Sequence, residues 1–434
     1  MTEATGGLPS TWARLHPLSP VAKGGRAVLA LLFVTAPRQL LHGHLDPAQL
    51  GLDAVGAGVI VAAGLVSWLV TRWRVCGAEL QLETGLLRRQ SIRVPLARVQ
   101  AVDVVRPLAA RLLGISELRL VLAGGGTGRA RLAFLPQGRA VQVRAQLLAV
   151  AVGHQVPVGA VEEPLARVPA GRLVAATLLL GPAVAAAVVG VAAVVLAVTA
   201  PGAVGPVAGA SGPVLLGVGT ALLRRLNVEW GFAVNVAADG LHLRSGLLQT
   251  RAETIPYGRV QGVRLVEPLL WRPFGWCRLE VDVAQQRERE VGEADVGQLT
   301  RALLPVGPRA DVDGLLARVL PGAGSRAPVG AAAPRRSRLR APLAYPHLAT
   351  WHDARHVVAR TGWLQVQTVF VPLDKVQSVR WSQGPVQRRL QLASVHVDTA
   401  GRRWRASARD RDGREALALL ATLPRLAGAA RDSR

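Results

Sequence analysis

The sequence predicts an α+β membrane protein. Three copies of one antiparallel β module, each capped by a C-terminal helix, are joined to two transmembrane helical hairpins, four helices in all. Three observations carry this. The first is a repeat: Thr84-Gly85-Leu86-Leu87, Ser245-Gly246-Leu247-Leu248 and Thr361-Gly362-Trp363-Leu364 each precede a proline in the same register, at Pro95, Pro256 and Pro372. The second is the short signature that follows each proline, Arg98-Val99-Gln100, Arg259-Val260-Gln261 and Lys375-Val376-Gln377. The third is an uncharged run of 51 residues from Leu173 to Leu223. Internal repeats outrank isolated motifs in deciding architecture, so one module used three times is the starting point.

Within a module the apolar residues alternate, as at Leu80, Leu82 and Leu86 or at Leu241, Leu243 and Leu247. A period of two argues for strands. The Thr/Ser-Gly pair then reads as a hairpin turn, because Gly85, Gly246 and Gly362 can take the positive φ that a tight turn needs. Further alternation runs through Glu117–Leu122, Arg278–Val283 and Ser394–Asp398. Each module closes in helical periodicity, expected over Arg139–Val152, Ala294–Leu304 and Gly413–Leu423. Strands followed by one helix imply an antiparallel sheet or barrel capped by that helix. In the signature the valine is expected to point into the module, with the basic residue and the glutamine on the other face. The residues singled out there are Arg98, Gln100, Arg259, Gln261, Lys375 and Gln377. A structural role for the glutamine amide, satisfying backbone at a strand bend, is preferred to a contact surface.

A second proline at Pro107, Pro268 and Pro385 leads into Arg111-Leu112-Leu113-Gly114, Arg272-Pro273-Phe274-Gly275 and Arg388-Arg389-Leu390. With the S/T-G-L-L turn, the I/V-P step and the R/K-V-Q signature, this resembles the bacterial pleckstrin-homology (PH)-like domain of the YdbS/YdbT-type membrane proteins. The third copy departs from the pattern, with Gly384-Pro385 shifted by one and Leu392-Ala393 in place of the glycine. The resemblance implies three PH-like antiparallel β-barrel modules and a non-enzymatic binding or scaffolding role.

The run from Leu173 to Leu223 is long enough for two crossings of a ~30 Å hydrocarbon core. Thr199-Ala200-Pro201-Gly202 supplies the break, with helices expected near Leu173–Val198 and Ala203–Leu223. An earlier pair is expected over Ala27–Leu45, interrupted by Pro37-Arg38, and over Ala54–Val70, stopped by Thr71-Arg72-Trp73-Arg74. Arg38 is expected to snorkel; a buried functional arginine is the sharper alternative. No cleavable signal is read in Met1–Pro20. Basic residues at Arg14, Lys23, Arg26, Arg72, Arg74, Arg88, Arg89, Arg167, Arg172, Arg224 and Arg225 flank the apolar runs. The positive-inside rule then puts both termini and all three modules in the cytoplasm of a multi-pass plasma-membrane protein. The expected order is an N-terminal tail (1–26), a first hairpin (27–70), module 1 (71–155), a second hairpin (173–223), module 2 (224–320), a linker (321–345) and module 3 (346–424). The Pro/Gly/Ala/Arg-rich linker is expected to bury no core.

Fifty-two basic against 28 acidic residues give a formal charge of +24. The arginines are spread through every module and gather beside the apolar segments, without the interleaved aromatics of a single-strand binder. Nucleic acid is therefore an unlikely partner, and the bilayer's anionic headgroups are the expected one. A homo-oligomer or a membrane-protein partner is a further expectation. Three rival readings are, in order, a transport or export component with Arg38 in its path, a membrane-tethered nucleic-acid binder, and a membrane enzyme. Cys76 and Cys277 fall in different modules and imply neither a disulfide framework nor a joint metal site. His352 and His356 have metal-ligand spacing only on a helix, and the repeat register places them at a strand end and turn. His42, His44 and Asp46 lack a second ligand group. The glycines of Ala123–Gly128 lack the Lys-Ser/Thr and helix of a phosphate loop. No catalytic constellation stands out, so no enzyme, catalytic residue, metal or cofactor is expected.

Overall fold

The computed structural model describes residues 11–14, 16–17, 19, 47–77, 79–85, 89–96, 99–122, 129–152, 163–200, 202, 204–237, 240–283, 302–324, 326–401 and 404–433. The expected helix at Ala27–Leu45, Arg38, the His42-His44-Asp46 run, Arg98 and the Gly124–Gly128 loop lie outside them. So does the side chain of Gln100.

Module 1 comprises β1 (Ala13–Arg14), α1 (Pro47–Val70), β2 (Arg72–Cys76), β3 (Glu79–Thr84), β4 (Gln90–Pro95), β5 (Val99–Arg106), α2 (Leu108–Leu112), β6 (Ile115–Leu122), β7 (Arg129–Pro136) and α3 (Gln137–Val152). Module 2 comprises β8 (Glu163–Arg167), α4 (Ala170–Leu178), α5 (Gly181–Thr199), α6 (Val204–Glu229), β9 (Ala233–Ala237), β10 (Gly240–Ser245), β11 (Thr250–Ile255), β12 (Val260–Pro268), β13 (Trp276–Val283), β14 (Ala302–Pro308) and α7 (Arg309–Val319). Module 3 comprises β15 (Ala349–His352), β16 (His356–Thr361), β17 (Gln365–Pro372), β18 (Val376–Ser382), α8 (Pro385–Arg389), β19 (Leu392–Thr399), β20 (Ala406–Asp412) and α9 (Gly413–Asp432).

The chain divides into two compact units, one holding module 1 with Leu248–Thr254 and the other the rest of modules 2 and 3. In the first unit, one sheet has the order β1-β2-β3-β4 and a second runs β7-β6-β5-β11. The alternating residues Trp73, Leu80, Leu82 and Val94 bury from the first sheet, and Val102, Leu118 and Leu120 from the second. Ala140, Val143 and Leu147 of α3 close that core. In the second unit, β9 pairs with β8 and β10, β14-β13-β12-β17-β16-β15 form one sheet, and β18-β19-β20 a third. One core joins α4 and the base of the apolar hairpin to β12, β13 and α7. A separate core lies between the module 3 sheets and α9.

The apolar run is cut differently from expectation. The stretch expected as one helix over Leu173–Val198 is α4 and α5, separated at Leu179-Leu180. Pro182, at the first turn of α5, cannot donate into a continuing helix. α4 is amphipathic and buries Leu173, Ala176 and Thr177, and the indole Nε1 of the buried Trp271 donates to Ala176 O at 2.9 Å. The start of the run therefore belongs to the core of module 2. The α6 helix runs on past Leu223 to Glu229, so Arg224 and Arg225 lie on it and not after it. Among the described residues α5 and α6 are the two helices long and apolar enough to cross a membrane. Of their most apolar windows only 6% and 0% are buried, which sets them apart from the core helices of a globular fold. α1 has a shorter apolar stretch, Ala54–Val70.

Two further expectations are corrected. Ala302–Leu304 is not the end of a helix; it starts β14, and the capping helix of module 2 is α7. Pro305 and Pro308 disfavour a helix there, and Pro308 precedes the first turn of α7 instead. A buried strand such as Ala302-Leu303-Leu304 carries no periodicity to distinguish it from a helix. The 321–345 segment, expected to bury nothing, docks on module 3. Ala331, Ala333 and Ser337 are buried, Ser337 Oγ donates to Asp410 O at 2.7 Å, and Arg336 and Arg340 pair with Asp412 and Asp410. Small side chains and arginines do by close approach and ion pairing what large apolar groups would do elsewhere.

Candidate anion-binding site

Gly217, Thr220, Ala221, Arg224, Arg225 and Val228 follow one another at three- and four-residue steps and so share one face of α6. Arg264, Val266 and Pro268 on β12, Arg278 and Glu280 on β13, and Gln365 and Gln367 on β17 follow a step of two and share one face of the sheet. Between them lies a cavity of about 570 Å³, with Leu180 and Trp271 completing its wall. The pairing register stacks Arg264 opposite Glu280, and Val266 opposite Arg278 on one side and Gln367 on the other.

Four guanidinium groups face two carboxylates there. Arg278, 4% exposed, is 2.7 Å from Glu229 through Nη1 and 2.7 Å from Glu280 through Nε. Arg225 reaches the other Glu229 oxygen at 3.2 Å, and Arg264 pairs with Glu280 while its guanidinium stacks on Trp404 at 4.5 Å. Burial opposes the charge on Arg278, but the fields of Glu229 and Glu280 outweigh it and hold the group above its ordinary value. Burial likewise opposes the charge on Glu280, and Arg278 and Arg264 outweigh it, so the carboxyl sits below its ordinary range. Arg278 Nη2 is buried without a hydrogen-bond partner among the described residues. Arg224 is exposed at the rim. The site holds an excess of positive charge with a free, desolvated donor, suited to an anion.

The repeated signature lies elsewhere. Val260 and Val376 are buried. In all three modules the strand pairing shifts register at the glutamine, between Val99 and Ala101, Val260 and Gly262, and Val376 and Ser378. Gln100, Gln261 and Gln377 are thus the extra residues of three equivalent β-bulges, which bend the strand and raise its twist where the second sheet begins. Gln261 is buried, with Nε2 3.5 Å from Arg259 O, whereas Gln377 is exposed. Burial lowers the pKa of Arg259. Lys375 donates to Gly258 O at 3.1 Å, tying module 3 to the equivalent turn of module 2. Gly85, Gly246 and Gly362 have φ of 97°, 114° and 108°. Gly246 N donates to Trp230 O, which fixes the turn against the end of α6. His352 ends β15 and His356 begins β16, off any helix. Burial raises the Cys277 thiol to about 12, whereas Cys76 is exposed. Sequence reasoning did not find the cavity; its only sequence signal was the step of two shared by Arg264, Arg278 and Glu280 with their neighbours.

Three modules, each of two antiparallel sheets and a C-terminal helix, match the sequence model of the bacterial PH domain over residues 26–151, 172–320 and 302–427. The chain belongs to the bacterial PH domain family. The first two PH domain matches begin ahead of the apolar segments, and the third begins at β14, so the third PH domain has no apolar hairpin of its own. No curated protein and no solved structure matches the chain.

Proposed function

We propose that the protein is a non-enzymatic, multi-pass plasma-membrane scaffold of the YdbS/YdbT type. It would display three PH domains at the cytoplasmic face and hold an anionic lipid headgroup at the base of its second apolar hairpin. The observation that carries this is the cavity lined by Arg224, Arg225, Arg264 and Arg278 where α6, barely buried by protein, meets the sheet. A membrane containing α5 and α6 would bring phosphate groups to this level. Basic residues near an anionic surface contribute roughly 1 kcal/mol each, and a desolvated donor such as Arg278 Nη2 adds a directed hydrogen bond. The first apolar hairpin, with the segment outside the described residues, would supply the other two crossings. The test is lipid analysis of the full chain extracted in mild detergent. Anionic phospholipid should co-purify with the wild type and be reduced in Arg224→Gln; equal retention of anionic lipid by both would remove the headgroup reading.

A further inference from the structure

The chain joins its modules by strand addition, and does so twice in the same register. At one junction Arg106, Val105 and Val104 of β5 pair with Thr250, Arg251 and Ala252 of β11. At the other, Glu267, Val266 and Leu265 of β12 pair with Val366, Gln367 and Thr368 of β17. Counted from the repeat prolines, the pairs coincide. Arg106 stands eleven residues after Pro95 and Thr250 six before Pro256; Glu267 stands eleven after Pro256 and Val366 six before Pro372. The first strand of each module's second sheet therefore takes the last strand of the next module's first sheet, antiparallel and at one fixed offset.

Among the described residues, two edges remain at the ends of this series. β18 is the module 3 counterpart of β5 and β12, and among those residues β19 is the one strand that pairs with it; β4 is the module 1 counterpart of β11 and β17, and β3 is the one strand that pairs with it. Their burial differs from that of their counterparts accordingly. β12 is buried along nearly its whole length, whereas Gln377, Ser378, Arg380, Trp381 and Ser382 of β18 are exposed, with Trp381 40% exposed. Gln90, Ser91 and Arg93 of β4 are also exposed. An open edge presents unpaired N–H and C=O groups that template another strand.

We propose that copies of the chain associate head to tail, β18 of one protomer taking β4 of a second copy. This repeats between molecules the junction the chain makes twice within itself. The shared offset fixes the pairing: Val379 opposite Arg93, Arg380 opposite Ile92, Trp381 opposite Ser91 and Ser382 opposite Gln90. No like charges stand directly opposite one another in that register. The contact is heterologous, so each protomer keeps one edge of each kind free and assemblies extend beyond a dimer or close into a ring.

The test is disulfide trapping of the full chain in membranes, with Cys76→Ser as background and Cys277 left in place. Trp381→Cys and Ser91→Cys are both at exposed positions. The double variant should give a ladder of disulfide-linked species on a non-reducing gel, and an equal mixture of the two single variants should stop at the dimer. Trp381→Cys with Gln90→Cys should give no ladder, because one residue of slip turns the side chain to the other face. A disulfide at the mass of one chain, linkage by Trp381→Cys alone, equal ladders from both pairs, or no linkage at all each overturns the proposal. Light scattering on unlinked wild type provides a second measurement, and a monomer at every concentration overturns it too.

Discussion

Replacing Arg278 by alanine removes the central cation of a buried network. Arg278 and Glu229 are 4% and 2% exposed, and two of the network contacts are at 2.7 Å. Removing one partner of a buried pair costs about 3–5 kcal/mol, because a charge is left uncompensated. Here Glu229 keeps Arg225 at 3.2 Å and Glu280 keeps Arg264, which places the expected loss near the lower bound, about 3 kcal/mol. For a body of this size that lowers Tm by roughly 6–12 °C. The assay is thermal melting of the full chain in detergent by circular dichroism. A melting point for Arg278→Ala within 2 °C of wild type, on the scale of about 2–4 °C per kcal/mol, would refute the buried network. The same contacts set an acid limit. The folded Glu280 carboxyl lies below its ordinary 4.5, so its contribution is complete above that value and is lost as pH falls through the lower folded value. Glu280→Gln should flatten that limb of the stability profile.

Three further expectations follow from the repeat and from the cysteines. Gly362→Val should cost several kcal/mol, since φ is 108° and a Cβ would overlap the Gln365 carbonyl oxygen; unchanged melting would show that the turn tolerates a side chain. Gln261→Ala should lower stability by about 1 kcal/mol while Gln377→Ala leaves it unchanged, because Gln261 is buried and Gln377 is exposed; equal effects in the melts would separate the signature from burial. An impermeant maleimide should label Cys76 in inverted membrane vesicles and not in intact spheroplasts, with Cys277 silent in both; labelling from outside would reverse the topology.

Turn chemistry and strand period were legible because they are local. Glycines with positive φ, prolines ending strands and valines turned inward at the bulge depend on neighbours a few residues away. The signature glutamines were legible as a recurring bend but not as bulges, since an extra residue is visible only against the partner strand. The helix of module 2 was misplaced because β14 is an apolar run without periodicity. The docking of the 331–340 segment was hidden because its partners, Asp410, Asp412 and Arg411, are some 70 to 80 residues away. The cavity was invisible for the same reason. Arg224 and Arg225 read as charges beyond a helix end, and only the continuation of α6 to Glu229 brings them over β12 and β13.

The central claim is that the arginine cavity holds an anionic headgroup, and the most direct measurement is a titration of anionic lipid in nanodiscs holding the full chain. Occupancy is read by native mass spectrometry at low and high salt. Wild type should bind the anionic lipid in preference to a zwitterionic one. Arg224→Gln, which keeps the buried network intact, should weaken that binding about fivefold, the equivalent of roughly 1 kcal/mol. Identical affinity for the two lipid types, or for wild type and Arg224→Gln, would contradict the claim.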